Sequence, residues 1–97
     1  MRIFLKLYGV FRSAAGAETI SLDLSLAEPT VRTALTEILS QSDSYELKRL
    51  VLDSETGDPR SNALILVSGR EIGALAGLAT RLRDDDVLSL LPIAHGG

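Results

Sequence analysis

Nucleophilic catalysis needs a Ser, Thr, Cys or Lys held beside a base. This chain has one histidine, His95, two residues from its end, and no cysteine. An imidazole in a terminal segment gives a nucleophile no fixed base, so a Ser-His-Asp arrangement is not expected. The lack of Cys also removes disulfides, thiolate metal sites and a thiol nucleophile. Asp84-Asp85-Asp86 supplies hard oxygen ligands, but three consecutive residues in a turn do not converge easily on one cation, and the spacing of a calcium loop is missing. Gly69, Gly73 and Gly77 match neither a phosphate loop nor a dinucleotide fingerprint and read as turn and close-packing residues. What remains is the end, Leu91-Pro92-Ile93-Ala94-His95-Gly96-Gly97. Two terminal glycines put no Cβ near the carboxylate, so the segment can thread a narrow channel and a nucleophile can approach its carbonyl closely. The chemistry that suits it is acyl activation of Gly97 by a partner. The expectation is therefore no catalytic residue and no metal site of the chain's own.

Something must hold that end in place, and the residue pattern supplies the elements. Ile3, Leu5 and Leu7 alternate with Phe4, Lys6 and Tyr8, the period of a half-buried strand. The stretch 9–16 has two glycines, a serine and small residues and is expected to be a loop. Thr19-Ile20-Ser21-Leu22-Asp23-Leu24 alternates again and should close a hairpin with the first strand. Thr30 is placed to cap a helix, with Glu28 near its positive end. Val31, Leu35, Ile38 and Leu39 then recur at helical spacing and form one apolar stripe. A second, shorter helix is compatible with 45–52. Glu55-Thr56-Gly57-Asp58-Pro59-Arg60 is a turn-rich connection. Leu64-Ile65-Leu66-Val67 is an unbroken apolar run, as in a strand buried on both faces, and Ser68-Gly69 turns it into Arg70-Glu71-Ile72. The stretch 73–79 fits a strand, a helical turn or a loop. After the acidic turn, Val87-Leu88-Ser89-Leu90-Leu91 is the last strand, ended by Pro92. It should bury Leu88 and Leu90 and turn Leu91 outward.

Composition agrees with one α+β domain. The chain has 97 residues, 45% hydrophobic and 24% charged, which suits a single packed core and leaves no room for a second. Aromatic residues are only 4%, so aliphatic side chains must fill that core. A formal net charge of −3 gives no basic field for phosphates and argues against nucleic acid as a direct partner. The apolar run Ile3-Phe4-Leu5 is too short for a signal core or membrane span. A cytoplasmic chain with no membrane association is the expectation. The predicted division is a domain over 1–92 and a flexible tail over 93–97.

The order of these elements, together with three motifs, resembles a known family. Leu64-Ile65-Leu66-Val67-Ser68-Gly69-Arg70-Glu71, then Leu82-Arg83-Asp84-Asp85-Asp86-Val87-Leu88-Ser89-Leu90-Leu91-Pro92, then Gly96-Gly97 are similar to the ubiquitin-like β-grasp sulfur carriers and modifiers. These are MoaD, ThiS, the ubiquitin-related modifier and its archaeal small-modifier relatives. The resemblance covers most of the chain. It implies a mixed sheet of four to five strands curled around one main helix. It also implies that a ubiquitin-activating-type enzyme adenylates the Gly97 carboxylate, with ATP consumed by that partner and no cofactor bound by the carrier. A sulfurtransferase or persulfide donor would then form a thiocarboxylate, for molybdopterin synthesis, thiamine synthesis or tRNA thiolation. Alternatively, lysines of target proteins would take the acyl group as an isopeptide. A molybdopterin synthase large subunit and a tRNA thiolation enzyme are further partners of the family. Gly96 and Gly97 would be the activated end, and Leu91, Pro92, Ile93 and His95 would meet the partner. Ala94-His95-Gly96-Gly97 looks like the ubiquitin-related modifier, whereas the hairpin at Ser68-Gly69 and Pro92 look like MoaD; the length fits ThiS least. A rival reading is an interaction module that binds through a sheet edge, with an incidental Gly-Gly end.

Overall fold

The structure is a computed structural model that describes residues 1–25, 27–41 and 43–94. Its centre is a five-stranded mixed sheet in the order β2-β1-β5-β3-β4. β1 (Arg2–Leu7) and β2 (Thr19–Asp23) pair antiparallel, with Leu5 opposite Ile20. β5 (Val87–Pro92) lies parallel to β1, with Leu5 opposite Leu88, and antiparallel to β3 (Ala63–Val67), with Leu64 opposite Leu91. The first and last strands are thus neighbours in the interior of the sheet. β4 is the two-residue edge Arg70–Glu71. Ser68 and Gly69 both hold positive φ, 46° and 86°, as a two-residue hairpin of matching twist demands.

The helix α2 (Val31–Gln41) buries Val31, Ala34, Leu35, Ile38 and Leu39. They pack with Ile3, Leu5 and Leu7 of β1, Ile65 and Val67 of β3, and Leu88 and Leu90 of β5 in one core. Its start is fixed reciprocally. The Thr30 hydroxyl accepts from the Thr33 amide at 3.2 Å, and the Thr33 hydroxyl accepts from the Thr30 amide at 2.8 Å. Two orphan donors are satisfied in the manner of a capping box. α3 (Tyr45–Val51) is the shorter helix, capped by Ser44 and buried through Leu47 and Val51.

Two expectations are overturned. The stretch 9–16 is not a loop: Gly9–Ala15 forms a helix, α1. Phe11 drives it, fully buried in the core, because one large ring outweighs the weak propensity of the small residues around it. Gly16 ends the helix at φ 71°, donating to the Arg12 carbonyl at 2.9 Å, a left-handed cap that glycine adopts without a Cβ clash. The Ser44 hydroxyl donates to the Ala14 carbonyl at 3.0 Å and accepts from the Leu47 amide at 3.0 Å, so one side chain ties α1 to the start of α3. The second correction concerns β3. It is buried on one face only, since Leu64 is 40% exposed and Leu66 half-buried. Ala63, Ile65 and Val67 face the core, and among the described residues no layer covers the opposite face. An apolar run without alternation does not reveal that asymmetry.

The stretch 73–79 contains no strand. Two 3-10 turns, Ile72–Ala74 and Gly77–Ala79, bury Ile72 and Leu78. The segment beyond them clips the start of α2, with Val31 donating to the Thr80 carbonyl and Leu82 to the Pro29 carbonyl, both at 2.9 Å. Among the described residues no helix is long and apolar enough to cross a membrane.

Candidate functional site

β5 is the element that delivers the end of the chain. Held on both sides by ladders, it buries Leu88 and Leu90 toward α2 and leaves Leu91 half-buried on the opposite face, as strand alternation requires. Pro92 closes the strand opposite Ala63. The chain is held one residue farther, since the Ile93 amide donates to the Asn62 carbonyl at 3.0 Å. His95, Gly96 and Gly97 lie outside the described residues.

Under Pro92 sits Gly9, at φ 55°, where an added Cβ would come within 2.9 Å of the proline Cγ. The start of α1 therefore seats the root of the terminal segment. Sequence reasoning missed this residue, because a glycine after a strand looks like any loop glycine. The Tyr8 amide adds a link, donating to the Leu90 carbonyl at 3.3 Å.

Around this root the surface is apolar. Leu64 and Ile93 are each 40% exposed, and Val10 is more exposed still. Phe4 and Leu66 are half-buried on the uncovered face of the sheet, where Lys6 places its ammonium 5.4 Å from the centre of the Tyr8 ring. Two shallow depressions flank Ile93. One, of about 210 Å³, includes Leu64, Arg60 and Glu71; the other, of about 270 Å³, includes Val10, Leu50 and Arg49. Apolar floors with a guanidinium at the rim suit a protein surface better than a small polar substrate.

The electrostatics around the root have structural causes. The Arg60 guanidinium, and then its backbone amide, hold the Asp58 carboxyl down at about 2; reciprocally, Asp58 raises Arg60. Glu46 is lowered chiefly by its hydrogen bond from Arg49, which it raises in turn. Asp53 is lowered by the amide and hydroxyl of Thr56. Each displaced group is explained by a local turn or ion pair, so none is left as a candidate acid or base. The acidic run is likewise engaged. Asp84 accepts from the Arg2 amide at 2.8 Å, and Asp86 accepts from the Arg83 amide at 2.7 Å and the Ser68 hydroxyl at 2.8 Å. Asp85 holds φ 68° in the turn. These carboxylates point to separate partners, and among the described residues no group of three His, Cys, Asp or Glu side chains could hold a metal ion.

No protein-family model matches the chain. Small archaeal modifier protein 3 of Haloferax volcanii is 30% identical over 97 residues, covering 100% of both chains. The solution structure of small archaeal modifier protein 1 from Methanosarcina acetivorans superposes with a TM-score of 0.77 and 28% identity, over 99% of this chain and 96% of that one. The crystal structure of SAMP1 from Haloferax volcanii gives a TM-score of 0.81 over 100% of both chains, at 24% identity, and shows the same β-grasp fold.

Proposed function

The chain belongs to the small archaeal modifier family of ubiquitin-like modifiers and sulfur carriers, and from that membership we propose that its working group is the carboxylate of Gly97, adenylated by a ubiquitin-activating-type enzyme. Such carriers are not enzymes themselves. In the proposed sequence, a Gly97 carboxylate oxygen attacks the α-phosphorus of ATP held by that partner. Pyrophosphate leaves, and the acyl group is linked to AMP. A persulfide sulfur then displaces AMP, and a thiol cleaves the resulting acyl disulfide to leave a thiocarboxylate. That thiocarboxylate donates sulfur to tRNA thiolation or to the large subunit of a molybdopterin synthase. In the other branch, a lysine amine of a target protein displaces AMP and gives an isopeptide bond. Both branches use one activated acyl group. The reaction belongs in the cytoplasm, where the partner finds ATP; the carrier itself binds no cofactor.

The observation that supports this reading is the exit of β5. An interior strand, clamped by two ladders and seated on Gly9, carries the chain out at Pro92 and Ile93 beside an uncovered apolar face. Leu91, Pro92 and Ile93, with Leu64 next to them, form the docking surface proposed for the activating enzyme, and His95 a polar spacer that fits its channel. Large apolar groups around a reactive end give affinity without chemistry.

Intact-mass measurement after incubation with the activating enzyme, ATP and a sulfur source tests the proposal. A gain of one sulfur for one oxygen is expected on the carrier branch, and covalent protein adducts on the modifier branch. An unchanged mass in both assays, with the enzyme active on another carrier, would overturn it. The rival reading, an edge-binding interaction module, is separated by adding one residue after Gly97, which would leave an interaction module fully active.

A further inference from the structure

An activated glycine acyl group needs an amine to become an isopeptide, and this chain offers very few. Its basic residues are eight arginines and two lysines, Lys6 and Lys48. With the Met1 amino group, there are three amines. The Met1 ammonium donates to the Leu24 carbonyl at 3.2 Å and lies by a depression lined by Asp23, Asp84 and Asp85 with Arg2, a net acidic setting that favours a cation over an acyl phosphate. Lys6 is half-buried in β1, its ammonium drawn over the Tyr8 ring. Lys48 differs from both. It is exposed on α3, and among the described residues its side chain enters no hydrogen bond or ion pair.

Lys48 also stands at the rim of a groove of about 270 Å³, floored by Leu35, Leu39, Leu52 and Leu78, with Arg32 among its lining and no acidic residue. In a chain of net charge −3 this is a local cationic, apolar slot. The charge of Arg32 reaches Asp58, but that carboxylate is already held by Arg60 at 2.7 Å. An apolar floor suits Ile93 and Ala94 of an incoming terminal segment, and Arg32 suits the negative charge of the activated acyl group behind them.

We propose that Lys48 is the amine through which one copy of this chain is joined to Gly97 of a second, whose terminal segment seats in the groove beside Arg32. The proposal rests on the activation of Gly97 given above. The Lys48 ammonium releases a proton to solvent, and the freed lone pair attacks the Gly97 carbonyl carbon. The acyl–phosphate bond then breaks with its electron pair leaving on AMP, and a second proton is lost as the amide forms.

An acyl donor that bypasses adenylation tests it separately: the full chain with Lys48→Arg, bearing a C-terminal thioester of 2-mercaptoethanesulfonate whose sulfonate supplies the negative charge that AMP would carry, mixed with acceptor chain ending in its native carboxylate. Trypsin cuts nowhere after Arg83, so the branch is residues 84–97 attached to a peptide spanning 33–49, left uncut at Lys48. The expected result is that branch as the main product, a tenfold or greater loss of covalent dimer in an acceptor with Lys48→Arg, and a change within twofold for Lys6→Arg. Arg32→Glu should lower dimer formation at least fivefold with Lys48 intact. Branching chiefly at Lys6 or Met1, equal dimer from Lys48→Arg, or no dimer at all would overturn the proposal, and an inert Arg32→Glu would overturn the groove as its seat. ATP–pyrophosphate exchange with the activating enzyme is read in parallel. Its absence would sink the adenylation reading while leaving the acceptor result to stand on its own.

Discussion

Gly9 holds φ 55° beneath the ring of Pro92, so one methyl group there acts twice. Alanine in the left-handed region is strained, and its Cβ would press on the proline that sets the exit of the chain. Gly9→Ala is expected to cost about 1–3 kcal/mol, visible as a lower denaturation midpoint, and to weaken adenylation beyond what lost stability explains, because the exit shifts. An unchanged midpoint would mean that α1 starts elsewhere. Asp58 gives a second expectation at this scale. Its folded value of about 2 lies below the ordinary 3.8, so ionised Asp58 favours the folded state. That contribution is complete above about pH 4 and is lost as pH falls toward 2. Asp58→Asn should therefore be less stable than the parent at neutral pH, with the gap closing near pH 2.5 in urea titrations. A gap constant across that range would show that the Arg60 pair does not matter. The terminal glycines, which lie outside the described residues, were readable as candidates, since a missing Cβ is a property of the residue itself. The roles of Gly9 and Lys48 were not, because they depend on what lies across from them in the fold: a proline 83 positions later, and a groove shared by two helices.

Among elements, α2 and β5 carry the core, and their burial was legible from spacing alone. Leu35 lies 2% exposed and Leu90 fully enclosed, so Leu35→Ala and Leu90→Ala should each lower stability by about 2–5 kcal/mol, the usual cost of emptying a leucine site. Equilibrium unfolding checks both, and a negligible shift for either would mean that the element faces the other way. Such periods are reliable because α2 spans eleven residues and offers three turns of stripe to read. α1 has seven residues and one buried ring, which is too little period to tell a helix from a small-residue loop. β3 failed differently. Four consecutive apolar residues are compatible with cover on both faces, and only the packing shows that Ala63, Ile65 and Val67 face the core while Leu64 does not. The uncovered side is where Leu64 and Leu91 pair, next to the proposed working end.

At the scale of the molecule, the parallel pairing of β1 with β5 makes the first and last segments interior neighbours. The uncovered sheet face followed only from tertiary packing. This architecture separates folding from activation. Among the described residues the fully buried hydrophobic ones all lie at or before Leu90, and the last backbone bond to the sheet's surroundings is that of Ile93. Removing Gly97 takes away none of those contacts, yet on the proposed reading it withdraws the reacting carboxylate from the partner's ATP. The deletion should leave the thermal unfolding temperature unchanged within error and reduce ATP–pyrophosphate exchange by a hundredfold or more, both measured on one sample with the activating enzyme. If the partner supplies every catalytic group, as proposed, the loss should appear in the maximal rate and not only in the Michaelis constant. Exchange that survives the deletion would sink activation at Gly97. A lowered unfolding temperature would instead mean that the last residue supports the fold, and that the exit of β5 is part of the core.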